Sequence, residues 1–159
     1  MLTNKERLFL QRAIELSREG MLDGQGGPFG CVVVLDGEII GEGHNSVTST
    51  NDPTAHAEVV AIRNACAKLG SFQLDGCEIY TSCEPCPMCL GAIYWARPQR
   101  VIYANTRMDA AAIDFDDDFI YHEINAPMEQ RKIPFMHVPD PAAKEVFDKW
   151  KGMGDKVKY

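Results

Sequence analysis

No apolar run in this 159-residue chain approaches the roughly 20 residues needed to cross a bilayer, so no membrane-spanning helix is expected. The opening stretch, Met1 to Leu10, is interrupted by Lys5, Glu6 and Arg7 and therefore lacks the apolar segment of a secretion signal. The expected compartment is the cytoplasm. Internal repeats and long low-complexity tracts are also missing. Positive charge is scarce: the formal net charge is −7. Phosphate backbones are held by Lys and Arg, so this balance argues against a nucleic-acid partner. Residues 140–159 carry only +1, too little to change that.

What the chain does have is an ordinary globular composition, 45% hydrophobic and 25% charged, at a length that suits one domain. Thr3 with Glu6 reads as a capping box, and Leu10, Ala13, Ile14 and Leu16 follow at helical spacing until Gly20. A Gly-rich linker, Gly24 to Gly30, precedes the strand Cys31 to Leu35. Asp36-Gly37 is a hairpin turn, and Glu38 to His44 is the returning strand. Asn45 to Thr54 is read as a loop. A helix is expected over Ala55 to Leu69, with Val59, Ile62, Cys66 and Leu69 on its apolar face and Gly70 ending it. Then come a strand at Glu78 to Thr81, a helix at Pro85 to Ala96 and a strand at Arg100 to Ala104. Phe135 to Val138 is a candidate last strand and Pro141 to Lys151 a last helix. Strands alternating with helices indicate a layered α/β domain with parallel pairs.

Six cysteines are present. In a reducing compartment, closely spaced cysteines point to metal binding or catalysis rather than to disulfides. Cys31, Cys66 and Cys77 are scattered in apolar stretches and read as small buried hydrophobes. Cys83, Cys86 and Cys89 are clustered. Cys86 and Cys89 share one face at the start of a helix, where the helix dipole favours thiolate. His56-Ala57-Glu58 opens the preceding helix. One imidazole and two thiolates balance a zinc ion and leave a fourth position open, the pattern of a catalytic site. Zinc makes hydroxide available at neutral pH, and Glu58 is placed to relay its proton. His-x-Glu followed by Pro-Cys-x-x-Cys is the signature of zinc deaminases, with the Glu outside the metal sphere.

Larger stretches carry the same chemistry: Gly26-Gly27-Pro28-Phe29-Gly30, Asn51 to Glu58, Tyr80 to Cys89, Gly91 to Pro98, and Phe115-Asp116-Asp117. On these the chain resembles the cytidine/deoxycytidylate deaminase superfamily and, within it, the small bacterial guanine deaminases. The tryptophan-bearing helix and the acidic Phe-Asp-Asp stretch are the features that point to guanine. The resemblance covers almost the whole chain. It implies a three-layer α/β/α sandwich around a mixed five-stranded sheet, with one Zn2+ per chain. It also implies a homodimer in which residues from about 140 to 159 are exchanged, and hydrolysis of guanine to xanthine and ammonia. For the metal it implies His56, Cys86 and Cys89. For proton transfer it implies Glu58, with Asp117 as a second carboxylate. For the base it implies the amide of Asn45, the rings of Phe29 and Trp95, the backbone N–H of Cys86, and a closing Tyr159. Simpler roles compete at several of these positions. Asn45 suits a turn, Asp117 a solvated acidic run, Phe29 and Trp95 a core, and Tyr159 a loose terminus.

Three other functions stay open at this level. A transfer-RNA adenosine deaminase would use the same chemistry on a basic surface that this chain lacks. Another small aminated heterocycle, such as guanosine, cytosine or a triazine, would differ only in pocket geometry. A non-catalytic zinc module would need a fourth protein ligand, for which Cys83 is available. An iron–sulfur site fits poorly, because no fourth cysteine follows Cys89 closely.

Overall fold

The computed structural model describes residues 1–115 and 117–159, so Asp116 of the acidic stretch lies outside the described residues. The chain divides into two compact units, Met1–Phe119 and Ile120–Tyr159.

In the first unit, α1 (Asn4–Leu22) begins with the expected capping box: the Thr3 side chain accepts from the Glu6 N–H, and Glu6 returns the bond to the Thr3 N–H. Next come β1 (Gly30–Leu35) and β2 (Glu38–His44), joined at Asp36-Gly37 with φ of 51° and 78°. Two consecutive positive φ values are what the tight turn between right-twisted strands requires. A short helix, α2 (Val47–Thr50), occupies the stretch expected to be loop. After it come α3 (Ala57–Leu69), β3 (Glu78–Cys83), α4 (Pro87–Ala96), β4 (Arg100–Asn105) and α5 (Arg107–Ala111).

The sheet order is β2-β1-β3-β4. β1 is antiparallel to both its neighbours, and β3 and β4 are parallel, so the sheet is mixed. Side chains of even number, Val32, Val34 and Tyr80, face α1 through Leu16, Phe9 and Leu10. Those of odd number, Cys31, Val33, Cys77 and Ile79, face α3 and α4. This period-2 alternation gives the three layers. The expected fifth strand is not seen. Four strands form the ladder, and Phe135 to Val138 makes none among the described residues. An extended segment becomes a strand only when another supplies hydrogen bonds, and Pro134, just before this one, has no N–H to offer.

The seat of α3 is set by small residues rather than by the large apolar ones. Its buried positions are Ala57, Glu58, Ala61 and Ala65, whereas Val59, Ile62 and Cys66 are half-buried and Leu69 is exposed. Opposite lie Gly41 and Gly43, two residues apart on one face of β2. A Cβ on Gly43 would sit 2.5 Å from the Ala57 carbonyl oxygen, and one on Gly41 the same distance from that of Ala61. Glycine here lets helix backbone rest on strand backbone, which fixes the start of α3.

The second unit holds most of α6 (Asp118–Asn125), a 3-10 turn at Met128–Gln130 and α7 (Pro141–Gly152). The Asp140 side chain caps α7 by accepting from the Ala142 N–H, and Pro141 fills the first helical position. The Arg131 guanidinium lies 5.3 Å from the Phe135 ring centroid. Neither α6 nor α7 buries a residue, and the apolar Val146, Phe147 and Trp150 of α7 are exposed.

Candidate metal centre and active site

Two helix starts meet over the end of the sheet. His56 is the N-cap of α3 and Glu58 lies in its first turn. Cys86 is the N-cap of α4, Pro87 occupies its first position, and Cys89 follows one turn on. His56 Nδ1 is 3.5 Å from the sulfur of Cys86 and 3.5 Å from that of Cys89. With zinc bonds of about 2.0–2.1 Å to nitrogen and 2.3 Å to sulfur, tetrahedral geometry puts nitrogen and sulfur about 3.5 Å apart. The donor atoms of the three residues all lie within 4.8 Å of one another. The group fits one zinc ion with three protein ligands.

Cys83 is not one of them. It is buried, and its thiol points at the Thr106 carbonyl, 3.6 Å away. Among the described residues the metal-competent group stops at three. A four-ligand structural site and a cysteine-only cluster both lose their support.

The charges suit a cation. The Cys89 thiol and, behind it, the His56 ring hold the Cys86 thiol down to about 4 against the opposing effect of burial. Cys89 is pushed up, first by Cys86 and then by burial and Glu58. His56 is raised chiefly by Cys86, with smaller contributions from Glu58 and Asp117. A divalent ion relieves this crowding of negative charge.

Glu58 is 6% exposed, and burial raises its carboxyl above the usual range. Its Oε2 accepts from the Cys89 thiol at 3.3 Å, which turns it toward the metal ligands. Its Oε1 accepts from the Thr81 hydroxyl at 3.2 Å. Sequence reasoning missed this contact. The available signal was strand alternation, since Thr81 shares parity with Cys77, Ile79 and Cys83 and so faces α3.

The remaining expected residues fall into distinct places. Asn45 is buried, and its Oδ1 accepts from the N–H groups of Gly27 and Val47, both at 3.2 Å. It thus does serve as a turn residue, and a Cβ on Gly26 would collide with its Oδ1. Phe29 is half-buried, packs against the α3/α4 core, and meets Phe115 edge-on at 4.9 Å and 85°. A Cβ on Gly27 would collide with the Phe115 ring, 2.7 Å away. Asp117 is half-buried, and its charge reaches His56 and Cys83. Trp95 is 62% exposed, which removes the core reading. Tyr159 is exposed and belongs to the second unit.

A three-layer fold that carries one His and two Cys at two helix starts, with a buried carboxylate beside them, defines a zinc-dependent deaminase, a hydrolase of a C–N bond. The chain belongs to the family described as the cytidine and deoxycytidylate deaminase zinc-binding region, which matches residues 3–105. It is 58% identical over 151 residues to a guanine deaminase of Bacillus subtilis, covering 95% of this chain and 97% of that one. The crystal structure of a Bacillus subtilis guanine deaminase superposes with a TM-score of 0.95 at 56% identity, over 99% of both chains. A tRNA-specific adenosine deaminase of Aquifex aeolicus is 43% identical over 96 residues, which span 60% of this chain and 63% of that one.

Proposed function

We propose that this chain hydrolyses guanine to xanthine and ammonia, with zinc held by His56, Cys86 and Cys89 and proton transfer carried by Glu58. The observation that carries the reading is the buried Glu58 carboxylate, 3.3 Å from a metal-ligand sulfur. A structural zinc site leaves that costly burial without a purpose. The choice of guanine is supported by the likeness to guanine deaminases over nearly the full length of both chains. The likeness to the adenosine deaminase covers a smaller share.

Zinc, when bound, supplies a strongly activated water at neutral pH. Glu58 would take one proton from the attacking water and give it to the ring nitrogen beside the carbon under attack. It would then move the remaining proton of the added hydroxyl to the amine, so that ammonia leaves and the ring carbon keeps the oxygen as a carbonyl. The carboxylate therefore works as base first and acid later. The Asn45 NH2 donates to an acceptor on the base, Phe29 and Trp95 flank its rings, and the Cys86 N–H faces its polar edge. Asp117 serves as a second proton carrier on the substrate side.

On this reading the chain is one deaminase domain that works in the cytoplasm as a homodimer. Its C-terminal segment, residues 140–159, passes to the second copy. The exposed apolar side chains of α7 support this, because such a face needs cover. The partner is a free nucleobase, and nucleic acid has no part in the reaction.

Ammonia release measured across guanine, guanosine, cytosine and an adenosine-bearing RNA hairpin tests the proposal. Guanine is expected to react fastest. An inert guanine beside a reactive RNA would move the assignment to the adenosine deaminases.

A further inference from the structure

The proton relay needs one carboxylate oxygen aimed at the reacting atoms, and a Glu side chain with free torsions does not hold that aim alone. Glu58 hangs from the first turn of α3, and its two oxygens meet different partners. Oε2 faces the Cys89 sulfur on the metal side. Oε1 meets the Thr81 hydroxyl, which reaches it from β3 at 3.2 Å. Thr81 is 1% exposed, which shields this bond from bulk solvent.

Its own position is tightly determined. Cys31 and Thr81 are register partners across β1 and β3. The Thr81 hydroxyl is also 3.4 Å from the Gly30 carbonyl, and the Gly30 N–H donates to the Ser82 hydroxyl at 3.0 Å. Gly30 in turn lies against the backbone of α1, where an added Cβ would collide with the Ala13 carbonyl. The hydroxyl thus sits on a closely packed stretch of the sheet, with one proton and two acceptors within reach.

We propose that Thr81 is a positioning residue for the reaction: its hydroxyl donates to Glu58 Oε1, fixes the carboxylate plane, and leaves Oε2 as the oxygen that carries the proton. The Gly30 carbonyl is the alternative acceptor, so the hydroxyl has a partner whenever it turns from Oε1. No buried donor is stranded at any stage. The inference rests on the reading of Glu58 as the proton carrier.

Thr81→Val keeps the shape and the strand preference and removes the hydroxyl. Thr81→Ser keeps the hydroxyl. With guanine as substrate, Thr81→Val is expected to lower kcat about 10- to 100-fold, the scale of a hydrogen bond to a charged group. KM should stay within about threefold and the zinc content at one per chain. Thr81→Ser should recover most of kcat. Normal turnover by Thr81→Val, or a Thr81→Ser as slow as Thr81→Val, overturns the proposal, the second outcome because it traces the effect to the methyl group. Should Thr81→Val lose its fold or its zinc, Thr81→Ala replaces it in the same comparison with Thr81→Ser. Glu58→Gln is assayed alongside. Full activity there brings down the reading of Glu58 and this inference together. An inactive Glu58→Gln beside a normal Thr81→Val brings down the inference alone.

Discussion

Gly43→Ala tests whether the close seat of α3 on β2 sets the active site. The new Cβ would lie 2.5 Å from the Ala57 carbonyl oxygen and 2.6 Å from the Ala61 N–H nitrogen, whereas ordinary contact begins at 3.4 Å. Both obstacles are backbone, so no rotamer change relieves them. The helix must retreat by about 0.9 Å, or the strand must buckle, at about 1–3 kcal/mol for an overpacked interface. In a domain of this size that lowers Tm by about 2–12 °C. The activity effect should be larger than the stability effect. His56 precedes Ala57 and Glu58 follows it, and a displacement near 1 Å of reacting groups costs on the order of 10²-fold in rate. The assay is a thermal melt with kcat and zinc content on the same preparation. Gly91→Ala in α4 is the contrast, because nothing lies within 4 Å of its added Cβ. There the better helix propensity of alanine should stabilise by about 0.5–1 kcal/mol. A Gly43→Ala protein with unchanged Tm and full turnover would refute the argument.

Other expectations follow from single contacts. Asn45→Asp keeps both bonds accepted from Gly27 and Val47 but replaces the donating NH2 with oxygen. It should fold near the parental Tm and raise KM for guanine at least 10-fold; parental KM would remove Asn45 from substrate binding. Acid stability is the next case. The Thr3 backbone N–H, then the Thr3 hydroxyl and Arg100, lower the Glu6 carboxyl from its usual 4.5 to about 2. A depressed carboxyl stabilises above its unfolded value, and that contribution fades as pH falls from about 4.5 through about 2. Urea titrations of Glu6→Gln and the parent should differ at pH 6 and converge near pH 2, and an equal gap at both would contradict this.

The legible parts of the fold were those encoded by neighbours in sequence. Thr3 with Glu6, Asp36-Gly37, Gly70, and Cys86 with Cys89 each act over four residues or fewer, and each appears in its expected role. The apolar face of α3 was legible in part: Ile62 and Cys66 do pack against the core, yet the tightest contact is made by alanines against Gly41 and Gly43, a pairing between residues distant in sequence. The helix at Val47–Thr50 carries no apolar period to reveal it. The fifth strand was expected from Phe135 to Val138, whose composition suits a strand but whose pairing depends on a distant edge. Within the site, His56, Glu58, Cys86 and Cys89 were visible as motifs. The grip of Asn45 on Gly27 and the bond from Thr81 to Glu58 span 18 and 23 residues and emerged only in three dimensions.

The account depends most on zinc at His56, Cys86 and Cys89. The direct measurement is guanine-dependent ammonia release from metal-stripped protein as zinc is returned in known amounts. Activity should be absent at the start, rise linearly and level off at one zinc per chain, with Cys89→Ser failing to recover at any ratio. Full turnover by the stripped protein would contradict it.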